Sequence, residues 1–184
     1  MTNLALLVLR LVLGGLMAGH GAQKLFGVLG GYGLQGTAGW LESMGLKPGN
    51  RWAILAGGSE FAGGMLTALG FLNPLGPIGI LGSMSMATAK VHWGKPIWVT
   101  SGSAELPVVY MAGATAIALA EPDTYSLDHA LGIKLPSWVA PVALGVGAAT
   151  LAVGLRQSPQ APEQQEEDVA GAELISGEQT AHEV

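Results

Sequence analysis

The first apolar run, Leu4 to Gly27, constrains the fold most strongly, because it is long enough to cross a bilayer and yet contains ionisable side chains. These are Arg10, His20 and Lys24. At 100° per residue, a helix places Lys24 about 40° and His20 about 80° from Arg10, so all three share one face. Ionisable groups at membrane depth are costly when they point at lipid. The run therefore predicts a transmembrane helix whose basic face points into a protein interior.

Four further apolar runs follow, and each is bounded by turn residues or by a helix-capping residue. They are Ala53 to Phe71, Leu75 to about His92, Ser103 to Ala120, and Trp138 to Leu155. Their lengths fit helices that cross a hydrocarbon core of roughly 30 Å, and the alternation typical of strands is absent. The N-terminus lacks the positively charged start of a signal peptide, so we expect the first run to be retained as a span.

Composition supports a membrane protein and excludes several kinds of site. Apolar side chains make up 49% of the 184 residues, and charged side chains make up 11%, which is less than half the fraction usual in a soluble domain. The sequence contains no cysteine. It therefore supplies no disulfide and no cysteine ligand for an iron–sulfur cluster or a zinc ion.

The charges are unevenly distributed, and their distribution predicts an orientation. Residues 163–184 hold seven of the 13 acidic residues and no lysine or arginine. If all five runs span the membrane, the side shared by loops one and three and the C-terminus carries Lys47, Arg51, Lys95 and Arg156. The other side carries only Lys134. The positive-inside rule then places the N-terminus outside and the C-terminus in the cytoplasm.

Glycines inside the apolar runs predict a tightly packed bundle. Small residues let transmembrane helices approach closely, and Gly15 and Gly19 in the first run would admit the second run in this way. The second run contributes its own pairs, Gly57-Gly58 and Gly63-Gly64. The spacing of Gly15 and Gly19 is also a dimerisation signal, so a homo-oligomer is an open alternative.

Three other segments complete the predicted organisation. Residues 30–47 are too short to span and are expected to lie at the interface or to fold back against the bundle. Residues 121–137 are predicted to form a surface loop. The segment 157–184, which is rich in Pro, Gln, Glu and Ala, is predicted to be disordered. The domains are therefore a four-helix membrane domain at 1–131, a fifth transmembrane helix at 132–156 and an acidic cytoplasmic tail at 157–184.

Polar residues of four spans are predicted to meet in the cytoplasmic half of the membrane. The residues on that side are His20, Lys24, Glu60, Lys90, His92 and Glu105. At 1.5 Å per residue, Glu60 and His20 lie about 12 Å and 10 Å from the cytoplasmic ends of their helices, and so at similar depth. Glu60 needs a cation, and the bases of the first helix need an anion. We therefore expect Glu60 to face Arg10, His20 or Lys24.

Three site chemistries use these residue types, and a quinone pocket fits best. A haem bound by His20 and His92 is not expected, because the two histidines lie at different depths. A metal site made of these histidines and Glu60 lacks a close ligand pair, so no metal is expected. Quinone oxygens bind donors such as His, Lys or Arg, a nearby Glu can relay protons, and glycine-rich walls admit an isoprenoid tail.

Each polar residue also has a structural interpretation that stays open. Arg10 and Glu60 could form a buried ion pair, and His20 could be a hydrogen-bonded core residue. Lys90 could extend toward the water interface. Glu105, in the first turn of the fourth span, could stabilise the helix dipole.

These residues resemble the DoxX family of small membrane proteins. The features that carry the resemblance are Leu9-Arg10-Leu11, the signature His20-Gly21-x-x-Lys24-Leu25-Phe26-Gly27, Glu60 among glycines, His92, and Tyr125-Ser126-Leu127-Asp128. The resemblance covers about residues 4–131 and implies a four-helix membrane domain linked to quinol oxidation or thiosulfate:quinone oxidoreduction. It also implies relatives that, in some bacteria, couple a superoxide dismutase and a sulfurtransferase at the membrane, so the expected location is the bacterial inner membrane. The fifth run and the acidic tail depart from the minimal family pattern.

Together these observations predict a membrane subunit of a redox complex that acts in quinol or quinone chemistry and oxidative stress. His20 and Glu60 would be catalytic, with His20 bonding a quinone oxygen and Glu60 accepting the proton. The residues predicted to bind the quinone are Arg10, His20, Lys24, Glu60, His92 and Glu105. The alternative is a non-catalytic anchor that recruits soluble antioxidant or sulfurtransferase enzymes. The expected partners are membrane lipids and other proteins of the complex, without nucleic acid.

Overall fold

The computed structural model describes residues 2–98, 100, 102–120 and 123–157, and all regular structure in this part of the chain is helical. The helices are α1 (Thr2–Phe26), α2 (Gly33–Ser43), α3 (Gly49–Leu69), α4 (Leu75–Ala87), α5 (Glu105–Leu119), α6 (Leu127–Leu131) and α7 (Val139–Arg156). A π-helical segment, Thr88–His92, continues α4. Apart from Gln157, the predicted disordered tail lies outside the described residues.

The five longer helices coincide with the five predicted apolar runs. Their ends differ from the predicted ends by a few residues, as expected where turn residues alone define a boundary. Two of them, α1 and α7, have both the length and the composition of membrane-spanning helices, and α5 is a shorter apolar helix. The prediction of an all-α membrane fold is confirmed at this level.

Helices α1 and α3 form an antiparallel pair whose backbones touch. A Cβ atom added at Gly14 would lie 2.5 Å from the backbone nitrogen of Ala68. A Cβ atom added at Gly64 would lie 2.6 Å from the carbonyl oxygen of Gly14. Real Cβ atoms do not approach other atoms this closely. The sequence therefore allows this contact only because these positions carry no side chain.

The glycines that make the contact differ from the predicted ones. A Cβ atom at Gly15 would meet nothing within 4 Å, and one at Gly19 would meet only a side-chain atom at 3.8 Å. The contact face of α1 instead carries Gly14, Ala18 and Gly21. Close approach of the first two long helices was predicted correctly, but its assignment to Gly15 and Gly19 was wrong. The spacing of small residues does not show which of two adjacent faces meets the neighbour.

Helix α4 lies between α3 and α5 and carries much of the core. Its contacts with both neighbours are antiparallel. On the α3 side, Gly63 approaches Gly76 and Glu60 approaches Ser83. On the α5 side, Asn73 before α4 bonds Ala120 after α5, and Ser85 approaches Met111. The core cluster at this position consists of Leu13, Met17, Ile80, Met84, Tyr110, Ala114 and Ile117. Burial of these side chains packs α1, α4 and α5 against one another.

The short helix α2 folds back against α1 and α3, as predicted for residues 30–47. A second apolar cluster beneath it consists of Ala38, Leu41, Leu46 and Ala53. Helix α7 packs mainly on α4 and runs parallel to it, since Met86 lies beside Gly154 and Lys90 beside Gln157. Helices α1, α4 and α7 therefore run in one direction, and α3 and α5 run in the other.

The described part of the predicted surface loop at 121–137 is largely exposed, but it contains a short helix and three buried polar side chains that were not predicted. Here Asp123, Ser126 and Asp128 are all buried. The two carboxylate oxygens of Asp128 accept hydrogen bonds of 2.8 Å from the backbone nitrogens of Leu72 and Asn73. This contact fixes the 123–131 segment to the turn between α3 and α4.

Arg10 pairs with Asp123 of this segment. Arg10 Nη2 lies 3.1 Å from Asp123 Oδ2, and the two side chains are 4% and 3% exposed. The Arg10 guanidinium covers Gly70, which has a positive φ of 60°. A Cβ atom added at Gly70 would collide with the Arg10 side chain. A charge inside the bundle needs a counter-charge, and here the counter-charge comes from the 123–131 segment rather than from Glu60.

Candidate functional site

A cavity of about 390 Å³ lies among α2, α3, α4 and α7, with Lys24 of α1 at its edge. Its volume is in the range of sites for small organic molecules. On α4 and its π-helical extension, the lining residues recur every three or four positions from Leu75 to Val91. This face is about 24 Å long at 1.5 Å per residue, so the cavity is elongated along the helix.

The cavity walls are mainly apolar, and a few polar groups lie among them. The lining residues with polar side chains include Lys24, Thr37, Ser59, Glu60, Ser83, Lys90 and Thr150. Apolar walls with a few polar groups suit an amphipathic ligand, because the walls accept a hydrocarbon part and the polar groups orient a head group.

Glu60 is the central polar residue of this cavity. It lies on α3 next to the Gly63-Gly64 pair, where α4 approaches so closely that a Cβ atom at Gly63 would lie 3.0 Å from the carbonyl oxygen of Gly76. The side chain of Glu60 is fully buried. Its Oε1 atom accepts hydrogen bonds from Lys24 Nζ and, at 2.6 Å, from Ser83 Oγ. The expectation that Glu60 faces the first helix is thus met by Lys24.

The other carboxylate oxygen, Glu60 Oε2, is buried and has no hydrogen-bond partner among the described residues. A buried charged acceptor without a partner is costly, so Oε2 requires a donor such as a bound water or a ligand. Because Glu60 lines the cavity, the matching occupant carries a hydroxyl or N–H donor.

The structure brings only part of the predicted site together. Of the six predicted binding residues, Lys24 and Glu60 line the cavity, and the other four are absent from its lining. Arg10 lies about 21 Å from Lys24 along α1, at 1.5 Å per residue. The prediction that Arg10 shares the site of Glu60 is wrong, because residues on one helical face can still be far apart along the helix axis.

The remaining predicted residues lie on other surfaces. His20 is exposed on α1, and its ring makes an edge contact with Tyr110 of α5 at a centroid distance of 6.3 Å. His92 Nδ1 lies 3.2 Å from the carbonyl oxygen of Gly102 in the loop before α5. Glu105 is partly buried at the start of α5. Within the described residues, no group of three or more His, Cys, Asp or Glu side chains could hold a metal ion.

Sequence reasoning missed Ser83 and the contribution of α7. Serine is an ordinary residue in membrane helices, where its hydroxyl can bond the preceding turn, so Ser83 alone carried no functional signal. Helix α7 has no ionisable residue inside its apolar run and offered no chemical reason to be placed at the site. It nevertheless supplies Ala143, Val146, Gly147, Thr150 and Leu151 to the cavity wall.

A bundle of apolar helices around a partly buried Lys–Glu pair and a mainly apolar cavity defines a helical membrane protein with an internal polar site. Residues 5–93, just under half of the chain, match the model of the DoxX family, which confirms the resemblance over this segment. The matched segment contains Lys24, Glu60 and Ser83, whereas α5 and α7 follow it. No curated protein and no solved structure matches the chain.

Proposed function

We propose that the protein is a membrane subunit of a redox complex and binds a quinol in the cavity beside Glu60. The observation that carries the proposal is the unpartnered Oε2 atom of Glu60, a residue that lines a mainly apolar cavity. A quinol hydroxyl donates a hydrogen bond to this oxygen, while the ring and tail contact the apolar walls. The family assignment of residues 5–93 agrees with a membrane protein in a redox context.

The proposed topology has five spans, formed by α1, α3, α4 with its π-helical extension, α5 and α7. The alternating helix directions support this count. Lys24, Lys90 and Arg156 all lie at one end of these helices, and the positive-inside rule makes that end cytoplasmic. The N-terminus is then outside, and Glu60 lies in the cytoplasmic half of the inner membrane.

The residues around Glu60 suit it to accept a proton. Lys24 and Ser83 both donate hydrogen bonds to Oε1, which leaves Oε2 as the oxygen that can accept the proton. When the quinol is oxidised to the quinone, one of its two protons passes to Glu60 and the other passes to water at the mouth of the cavity, while the two electrons pass to an electron-accepting partner protein. Positioned acid–base groups of this kind typically contribute about 10²–10⁴-fold to rate. The quinone product has no hydroxyl to donate, so its release is favoured.

Replacing Glu60 by glutamine tests this proposal. The amide keeps the size of the side chain and an oxygen for Lys24 and Ser83, but it presents an N–H donor where Oε2 was. We expect Glu60→Gln to weaken binding of a short-chain ubiquinol about ten- to hundredfold, because one charged hydrogen bond is lost. Binding of the corresponding ubiquinone should weaken less or improve. Quenching of tryptophan fluorescence measures both affinities, since Trp40 and Trp52 line the cavity.

The matched control is Glu105→Gln, the same chemical change at a carboxylate outside the cavity lining. It should leave both affinities within about twofold of the original protein, which is less than one hydrogen bond contributes. Equal affinities of the original protein and the folded Glu60→Gln variant for ubiquinol would rule out the proposed contact.

A further inference from the structure

Helix α7 is a wall of the cavity, yet it is weakly attached to the rest of the bundle. Among its residues, all of which the structure describes, only Gly154 is buried. Its main neighbour is α4, and its middle part lies over the cavity rather than over packed side chains. The outer face of α7 is apolar and exposed, as a lipid-facing surface would be.

The cytoplasmic end of α7 is held by Gln157. The side-chain oxygen of Gln157 accepts a hydrogen bond of 3.1 Å from Trp52 Nε1 and one of 3.0 Å from the backbone nitrogen of Lys47. The backbone oxygen of Gln157 accepts a further hydrogen bond from Lys90 Nζ. Trp52 and Lys90 are themselves cavity-lining residues, so these bonds close one end of the cavity.

Hydrogen bonds matter more than apolar contacts for keeping such a helix in place. In a bilayer, lipid tails replace protein contacts at little cost, because they are as apolar as the side chains they replace. The contacts of Val146 or Leu151 therefore provide little driving force against opening. The bonds to Gln157 are directional, and they join the end of α7 to Lys47, Trp52 and Lys90, so they are the contacts that hold α7 in its closed position.

We propose that α7 is a movable wall that admits an amphipathic ligand from the bilayer, and that Gln157 is the latch that keeps it closed. The nature of the ligand rests on the proposed function, but the movement of α7 does not. An amphiphile dissolved in the membrane reaches Glu60 by passing between α7 and its neighbours. Opening requires the two bonds to the Gln157 side chain to break.

Cysteine labelling can measure this movement without a ligand, because the chain has no cysteine of its own. Gly82→Cys places a single thiol in the cavity wall, where an added Cβ atom meets nothing within 4 Å. The rate of its reaction with N-ethylmaleimide, in protein reconstituted into lipid nanodiscs, reports how often the cavity opens. A neutral hydrogen bond contributes a factor of about two to ten to such an equilibrium. We therefore expect Gln157→Ala to raise this rate about tenfold.

Two matched variants control the experiment. Gln157→Glu keeps the oxygen that accepts both bonds and should leave the labelling rate of Gly82→Cys unchanged within about twofold, less than one hydrogen bond contributes. Ala114→Cys, at a fully buried position in the core of α4 and α5, reports loosening of the whole bundle and should react no faster when Gln157→Ala is added.

An unchanged rate for Gly82→Cys in the Gln157→Ala background would overturn the latch. Equal acceleration by Gln157→Ala and Gln157→Glu, or acceleration at Ala114→Cys, would overturn it as well. The same reporter separates the two proposals. If short-chain ubiquinol fails to slow the labelling of Gly82→Cys in the original background, the proposed function fails, whereas the latch is judged by the Gln157 variants alone.

Discussion

Replacing Arg10 by methionine is expected to lower the free energy of unfolding by about 3–5 kcal/mol, because it removes one partner of a buried ion pair and leaves the other charged. Methionine fills the space of the aliphatic part of the arginine side chain and carries no charge. Asp123 is 6% exposed and would have no cation in the position that Arg10 Nη2 occupies. Unfolding in mixed micelles, driven by sodium dodecyl sulfate and followed by circular dichroism, measures the change.

A second substitution distinguishes loss of charge pairing from loss of packing. In the original protein, the backbone nitrogen of Tyr125 donates a hydrogen bond of 2.8 Å to Asp123 Oδ1. Asp123→Asn removes the charge but keeps an oxygen that accepts this bond. The double variant Arg10→Met with Asp123→Asn should therefore recover more than half of the loss caused by Arg10→Met alone. Additive losses in the double variant would show that Arg10 contributes through packing and not through its charge.

The helices could be predicted from the sequence because each depends on local information. A long apolar run bounded by turn residues such as Pro48-Gly49 or Asn73-Pro74 has few alternatives to a helix at membrane depth. The sequence also predicted that Glu60 pairs with a basic residue of the first helix, although not which one. Each lies inside an apolar run, and a charge in that position must find a counter-charge.

The pairing of Arg10 could not be predicted, because it depends on tertiary structure. Arg10 and Lys24 share a helical face, and periodicity alone made them candidates for one site. They are far apart along the helix axis, so Arg10 pairs with Asp123 and Lys24 pairs with Glu60. Asp123 lies in a stretch with the composition of a surface loop, and only the buried side chain of Asp128 shows why that stretch is fixed to the bundle.

The cavity depends on long-range contacts in the same way. Ser83 reaches Glu60 only because α3 and α4 touch at Gly63 and Gly76. The contribution of α7 follows from its parallel packing on α4, which no residue pattern within α7 encodes. Apolar residues that line a cavity and apolar residues that face lipid are chemically alike, so composition does not distinguish them.

The packing of α1 on α3 leads to the second large effect, because it positions both members of the Lys24–Glu60 pair. Gly14→Leu should lower the free energy of unfolding by at least about 3 kcal/mol, since overpacking against a backbone that cannot move aside is costly. The added side chain would collide with the backbone of Ala68 and with the carbonyl oxygen of Gly64. Separation of the two helices would also move Lys24 away from Glu60, so ubiquinol binding should be lost together with stability.

The adjacent residue provides the control, since Gly15→Leu is the same chemical change one position along the same helix. Nothing lies within 4 Å of a Cβ atom at Gly15, so leucine there would contact only lipid. Because leucine is a better helix former than glycine by up to about 1 kcal/mol, Gly15→Leu should be neutral or stabilising. Titration with sodium dodecyl sulfate measures both variants under the same conditions. If Gly15→Leu were as damaging as Gly14→Leu, the face of α1 that meets α3 would be misassigned, and with it the geometry that brings Lys24 to Glu60.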